Sequence, residues 1–145
     1  MQDSFKKWKG ELHVLITNSA THEIINEFKQ RNLIVNTGYT AAAQSFAGVS
    51  GAAIVNVQVG TSTTTTAPTD MAITNAVQVP VVSVEYPDFA VRFNFQINAN
   101  QANGMSIAEW GLITADGRLF SRLVRDEIIA KTDAIEILGA WTINL

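Results

Sequence analysis

The alternation of apolar and polar residues predicts a chain built mainly from short β-strands. The clearest example is the stretch 134–145, in which Ile135, Ile137 and Trp141 fall on one face and Glu136 falls on the other. Successive side chains of a strand point to opposite faces of its sheet. The stretch is therefore typical of a strand that packs one face on a hydrophobic core.

The same alternation recurs along the chain and predicts further strands. They are expected at residues 11–18, 23–30, 55–59, 77–86, 89–98, 106–114 and 119–125, with a short apolar extension at 32–35. Asp116–Gly117 is a strong hairpin signal between the last two. Pro80 belongs at a strand edge or a bulge because it lacks an N–H donor. About eight strands at this spacing indicate a sandwich or a barrel rather than βαβ units.

One short helix is predicted at residues 39–47, which are rich in alanine. Asn36 and Thr37 precede it, and their side-chain oxygens are suited to accept the free N–H groups of a first helical turn. Gly48 follows it, and glycine is the residue that most often ends a helix. The rest of the sequence offers no comparable helical pattern.

The chain is expected to fold as one domain with an N-terminal arm. The arm comprises residues 1–10 and mixes aromatic with basic residues: Phe5, Lys6, Lys7, Trp8 and Lys9. Residues 11–145 form the domain, since this length is typical of a single hydrophobic core. The polar stretch 61–70 has no periodicity and is predicted to be a surface loop.

Composition narrows the classes of partner. Apolar residues make up 47% of the chain and charged residues 16%, whereas about 25% charged residues is usual. The surface is therefore either rich in Thr, Asn, Gln and Ser or partly covered by partners. The formal charge of −3 gives no general attraction to nucleic acid. Apolar runs are too short for a signal peptide or a membrane span, so we expect neither nucleic acid nor a membrane as a partner.

No motif in the sequence points to catalysis or to a cofactor. His13 and His22 lack the spacing of a metal site, and a chain without cysteine has neither a disulfide nor a thiolate metal site. Residues 48–51 miss the G-x-S-x-G nucleophile elbow by one residue. A carboxylate pair for glycoside hydrolysis is available only in principle among the acidic residues. We therefore expect a non-enzymatic protein without a cofactor or a bound metal.

One acidic residue in a predicted strand has two possible roles. Glu109 lies between apolar neighbours, on the face opposite Trp110. It is either a solvated or hydrogen-bonded strand residue or the partner of Arg118 or Arg122, and burial decides what such a pair contributes. Nearby glycines, Gly60 and Gly111, are suited to tight bends or to a close approach of another chain segment.

An ordered set of short motifs gives a further indication of function. It consists of NLIVNTG at 32–38, VQVGT at 57–61, TAPTD at 66–70, SIAEWGLI at 106–113, DGRLFSR at 116–122, Lys131 and WTI at 141–143. In this order the motifs resemble those of small virion proteins of tailed bacteriophages, which serve as capsid decoration (cement) proteins or as tail-associated and fibre proteins. The resemblance spans roughly residues 32–145, and Ser62 stands where these proteins usually have glycine. It implies an antiparallel β-sandwich of the jelly-roll type.

The resemblance also implies a function and a location. The leading expectation is a non-enzymatic decoration protein that binds the assembled shell and bridges neighbouring capsomers, with the major capsid protein or other virion proteins as partners. A homotrimer made in the host cytoplasm and located in the virion is expected. The alternative is a tail fibre or baseplate component, with receptor-binding loops at 61–70 and 98–104.

Two segments are candidates for the contact with partners. In the arm, Phe5 and Trp8 are predicted to dock into a neighbouring subunit while Lys6, Lys7 and Lys9 meet an acidic rim, because aromatic residues are favoured anchors of interfaces. A charged, loose terminus is the alternative. The threonine-rich loop, with Thr63, Thr64 and Thr65 at its centre, is either a solvent-facing tip or a contact with the trimer mates.

Overall fold

The computed structural model describes residues Trp8 to Leu145. Within this range the chain forms eight strands and one helix: β1 (Lys9–Asn18), β2 (Ile24–Ile34), α1 (Asn36–Phe46), β3 (Ile54–Gly60), β4 (Val77–Glu85), β5 (Ala90–Ile97), β6 (Ser106–Thr114), β7 (Leu119–Ala130) and β8 (Ile135–Asn144). The prediction of a mainly β chain with about eight antiparallel strands and one short helix is confirmed. β1 begins inside the segment 1–10 that was predicted to be an arm.

The strands close into a barrel in the order β1-β2-β7-β6-β3-β4-β5-β8, with β8 beside β1 and neighbouring strands antiparallel. The more specific prediction of a jelly-roll sandwich is not confirmed, because two strands change neighbours along their length. β2 pairs with β1 as far as Asn32 and with β7 at Leu33 and Ile34. β4 pairs with β3 as far as Pro80 and with β5 from Val81. These changes join the two halves of the wall and close the sheet.

Side chains fill the inside of the barrel, as expected for eight strands. Trp110 and Trp141 are fully buried there, and the alternation predicted for the last strand is confirmed. Phe95 lies over Gly139, where a Cβ atom would come within 2.1 Å of the Phe95 ring. The glycine therefore provides the space that the ring occupies.

Helix α1 packs across one end of the barrel. Ala41 and Ala42 join the core, and the Thr37 hydroxyl donates a hydrogen bond to the Leu119 carbonyl oxygen at 2.6 Å. The expected capping by Asn36 and Thr37 is therefore wrong: Val35 is the N-cap residue, and no side chain caps this helix within the described chain. The predicted stop is confirmed, because α1 ends just before Gly48, which has φ +76°.

The segment 61–76 between β3 and β4 covers the outside of the wall. Ile73 packs there with Val35, Ile113 and Leu119 in a small second cluster outside the barrel core. A Cβ atom on Gly111 would lie 2.9 Å from the side chains of Ile73 and Leu119, so the predicted close approach at this glycine is confirmed. β6 is consequently buried on both faces from Ile107 to Thr114.

Candidate interaction surfaces

The segment 61–76, called the threonine loop below, presents three adjacent threonines to solvent. Thr63, Thr64 and Thr65 are exposed, as expected for a surface loop. The threonine loop is long for a connection between strands, since such loops usually have two to five residues. Something other than its own secondary structure must therefore hold it in place.

A buried carboxylate ties the two ends of the threonine loop to β6. Glu109 is fully buried, and its Oε1 atom accepts hydrogen bonds from the backbone N–H groups of Ser62, at 3.1 Å, and Thr74, at 2.7 Å. Its Oε2 atom accepts a hydrogen bond from Arg122 Nε at 2.8 Å. A buried charge requires such partners because the loss of water is otherwise very costly. Of the two roles predicted for Glu109, the ion pair with Arg122 is confirmed.

The guanidinium group of Arg122 extends the network to the middle of the loop. Its Nη1 atom donates to Asp70 Oδ2 at 2.9 Å, and its Nη2 atom donates to the Ser62 hydroxyl at 3.4 Å. Asp70 also accepts the backbone N–H of Ala67 at 2.9 Å. Glu109, Arg122 and Asp70, called the loop clamp below, therefore fix the loop to the wall at three points, Ser62, Asp70 and Thr74.

The other arginine predicted as a partner of Glu109, Arg118, has a different role. Arg118 pairs with Asp116 in the β6–β7 turn, with an Nη2–Oδ2 distance of 2.9 Å. Hydrogen bonds from Arg118 and from the Thr114 hydroxyl lower the pKa of Asp116 to about 2. This pair lies at the surface, so it stabilises the turn rather than the threonine loop.

A polar cleft of about 410 Å³ runs beside the threonine loop. It lies where β2 and β7 diverge, on the Gln30 side of Leu33, and Gln30 Nε2 crosses the gap to donate to the Val124 carbonyl at 2.8 Å. Its lining includes Arg31, Asn32, Thr63, Thr65, Arg122 and Asp126. The Asn32 amide is buried and has no hydrogen-bond partner among residues 8–145.

A second cavity, of about 380 Å³ and almost entirely apolar, lies at the barrel end that α1 crosses. Its walls include Trp8, Phe46, Val84, Val91, Phe93 and Leu145. We call it the apolar groove. Large apolar side chains surround it in an exposed position: Phe46 is 74% exposed, and Tyr86 and Phe89 on the nearby β4–β5 turn are 81% and 83% exposed. Such a concentration of exposed apolar residues is typical of interaction sites in general.

The structure places part of the predicted arm against this groove. Trp8 packs on two aromatic residues of helix α1 in the same chain. Its ring centroid lies 6.4 Å from that of Tyr39 and 5.8 Å from that of Phe46. Lys9 is the first residue of β1 and is exposed. Phe5, Lys6 and Lys7 lie outside the described residues. Docking of the arm into a neighbouring subunit stays a prediction, as does a partner contact through Thr63, Thr64 and Thr65.

No set of three His, Cys, Asp or Glu residues in the described part of the chain is arranged to hold a metal ion. The His13 imidazole forms a hydrogen bond to Glu27 on the neighbouring strand. In residues 8–145 there is no helix with the length and apolarity needed to cross a membrane.

No sequence pattern indicated Asp70 as a partner of Arg122, and none indicated the apolar groove. Asp70 is 52 residues away from Arg122, and no local pattern connects them. For Glu109 a signal was present: a strand with apolar residues on both sides of its single charge is typical of a strand covered on both faces. Comparison of the chain with protein-family models, with curated proteins and with solved structures finds no match.

Proposed function

We propose that the chain is a non-enzymatic structural protein of a tailed-bacteriophage virion, and specifically a capsid decoration protein. In this role it binds the assembled shell through the major capsid protein or other virion proteins and bridges neighbouring capsomers. A homotrimer is the proposed assembly. The ordered motifs between residues 32 and 143 support the assignment to a virion. The surface of the barrel supports a function in binding other proteins.

The observation that carries the proposal is the pre-organised threonine loop. Thr63, Thr64 and Thr65 project from a loop whose two ends are bound to one buried carboxylate, that of Glu109. A contact segment that is already ordered loses little conformational entropy on binding, and this strengthens the complex. Threonine side chains combine a methyl group with a hydroxyl group, which suits a close contact with another protein surface.

The proposal extends to the fold. Because β2 and β4 each change neighbours, the wall has two halves, β2-β1-β8-β5-β4 and β4-β3-β6-β7-β2. We propose that these halves correspond to the two layers of the sandwich that the resemblance implies. The closed corners would then distinguish this chain from an open sandwich.

A tail fibre or baseplate component is the second candidate, and the polar cleft favours it. The exposed Arg31 and Asp126 offer donors and acceptors next to the threonine loop. Loops that bind receptors commonly stand on a rigid scaffold of this kind. In this case the cleft would bind a polar receptor group on the host surface, and the protein would be present in a few copies per particle.

The copy number of the chain in purified particles tests both candidates. Quantitative mass spectrometry of particles from a phage that encodes the chain is expected to find on the order of hundreds of copies, as a protein at every local symmetry axis requires. A handful of copies would favour the tail, and complete absence from the particle would refute the virion proposal.

A variant of the threonine loop tests the contact itself. The triple change Thr63→Asp, Thr64→Asp and Thr65→Asp is expected to reduce co-sedimentation with shells that lack the chain by at least about tenfold, because unpaired charges at an interface are costly. A matched control places the same charges on exposed hydroxyl residues elsewhere: Thr21, Ser106 and Thr132. Equal binding of the two variants would exclude the loop as the contact.

A further inference from the structure

The apolar groove at the end of the barrel that α1 crosses is a cavity lined by apolar side chains. It has about 380 Å³ of space, which is within the range of cavities that hold a ligand or a side chain. Val84 and Leu145 in its walls are 47% and 54% exposed. An apolar cavity of this size gains stability from any apolar group that fills it.

One candidate occupant is already attached to the wall of the groove. Trp8, the first described residue, lines the cavity, and residues 1–7 precede it in the sequence. Phe5 lies three residues before Trp8, so its Cα atom is at most about 11 Å from that of Trp8. The only aromatic residue of the segment 1–7 is therefore within reach of the groove of its own chain.

Acidic residues near the groove are complementary in charge to the lysines of the segment 1–7. Lys6 and Lys7 follow Phe5; Glu85 ends β4, and Asp88 lies in the β4–β5 turn that follows it. The turn adjoins the groove, because the Phe89 carbonyl accepts the N–H of Leu145 at 2.9 Å. Asp88 forms no salt bridge within residues 8–145, and Glu85 is shared between Asn94 and Arg92.

We propose that residues 1–7 bind across the apolar groove of their own chain, with the Phe5 ring in the cavity and Lys6 and Lys7 near the acidic turn. A short tether makes this contact intramolecular, so that the local concentration of the segment is in the millimolar range. The segment then covers part of an otherwise exposed apolar surface. This inference is independent of the proposed virion function.

Cysteine cross-linking tests the location of the segment directly. The chain has no cysteine, so the pair Ser4→Cys and Val84→Cys introduces the only two thiols. Mild oxidation at low protein concentration is expected to give a monomeric, internally cross-linked product in most molecules. The control pair Ser4→Cys and Thr21→Cys places the second thiol on the β1–β2 turn, and it should yield little of that product.

Truncation of the proposed anchor tests its effect without any cross-link. Phe5→Ala is expected to lower Tm by about 5 °C, as the loss of one buried aromatic ring implies, and to increase the binding of an apolar fluorescent dye several-fold. The matched control is Phe89→Ala, which removes an exposed phenylalanine that does not line the groove. Phe89→Ala should change both Tm and dye binding less than Phe5→Ala does.

A groove variant separates this contact from a general effect of the N-terminus. Val84→Asp places a charge on the exposed wall and is expected to reproduce both effects of Phe5→Ala. In the Val84→Asp background, Phe5→Ala should have no further effect. Additive effects would show that Phe5 acts elsewhere.

Other occupants give different results and would overturn the proposal. Covalent dimers or trimers from the Ser4→Cys and Val84→Cys pair, together with a Tm that rises with protein concentration, would show that the segment binds a second copy. Equal cross-linking to residues 84 and 21, or no loss of Tm in Phe5→Ala, would show that the segment does not bind the groove at all.

Discussion

Two regions of the barrel surface differ in how they are covered: the wall under the threonine loop, and the apolar end, which is the end that holds the apolar groove. The outer face of β6 is covered by a loop that buried charges hold in one position through Glu109 and Arg122. The apolar end has space, aromatic side chains and exposed hydrophobic surface around the groove. One surface has a specified cover, and the other accepts any apolar group of suitable size.

The difference follows from the chemistry of the two contacts. A buried carboxylate and a guanidinium group need partners at fixed positions, so they select a single arrangement of the loop, at a cost in desolvation. Dispersion and hydrophobic burial have no direction and tolerate changes of shape. The loop clamp is therefore expected to be sensitive to substitution, whereas the apolar end is expected to be permissive.

The largest effect is expected from removal of Glu109. Glu109→Ala leaves Arg122 and two backbone N–H groups of the loop without their acceptor in a buried site, which should lower the free energy of unfolding by about 3–5 kcal/mol. Urea denaturation measures the change. Glu27→Ala, which removes an exposed acid next to His13, is the control and should cost less than about 1 kcal/mol. A loss below 1 kcal/mol for Glu109→Ala would contradict the clamp.

A smaller effect is expected from crowding of the covered wall. Gly111→Ala places a methyl group within 2.9 Å of Ile73 and Leu119, which should cost about 1–3 kcal/mol. Ile73→Val removes the Cδ1 methyl group, which is one of the three atoms that would lie 2.9 Å from the new Cβ atom, and by itself it should cost about 0.5–1.5 kcal/mol. The double variant is expected to lose less than the sum of the two, as a double-mutant cycle would show. If the two free-energy losses were strictly additive, Ile73 of the loop would not be in steric contact with the added methyl group at residue 111.

Exposed residues beside the apolar groove should be nearly indifferent to substitution. Tyr86→Ser and Phe89→Ser alter residues that are 81% and 83% exposed, so each is expected to change the free energy of unfolding by no more than about 0.5 kcal/mol. Denaturation curves measure this, and a loss as large as that of Gly111→Ala would remove the contrast between the two regions.

A pH titration tests the exposed ion pair between Asp116 and Arg118 in the β6–β7 turn. The folded pKa of Asp116 is about 2, mainly because of the hydrogen bond from Arg118, whereas an unfolded aspartate has a pKa of about 3.9. A lowered folded pKa stabilises the protein above the unfolded value, and this contribution is lost as the pH falls through the folded value. The wild-type protein should therefore have a higher Tm than Asp116→Asn at pH 6, and the difference should shrink between about pH 4 and pH 2. A difference that stays constant over this range would contradict the lowered pKa.

The sequence contained the information for the strands and the helix but not for the closure of the barrel. Alternation in 134–145 and the Asp116–Gly117 turn are local signals, and they depend on neighbours in sequence. Closure depends on the change of neighbours in β2 and β4, which is a property of long-range pairing. Pro80 lies at one of these changes, yet its position in the sequence indicated only an edge or a bulge.

The candidate surfaces show the same limit. The exposed threonines were predictable, because a polar stretch without periodicity belongs on the surface. The loop clamp was predictable in part, through Glu109 and Arg122, but Asp70 meets Arg122 only after the loop has folded over β6. The groove could not be predicted, since α1, β4, β5 and β8 form it together from residues that are far apart in the chain.

The pairing of β1 with β8 has a consequence for the rate of folding. The seam joins Lys9–Asn18 to Ile135–Asn144 along the full length of both strands, so its two sides are separated by more than a hundred residues of chain. Loops of this length close slowly, and proteins rich in such pairings fold in milliseconds to seconds rather than microseconds. During synthesis on a ribosome, one edge of β1 stays unpaired until β8 has been made, and the nascent chain is exposed to aggregation for that time.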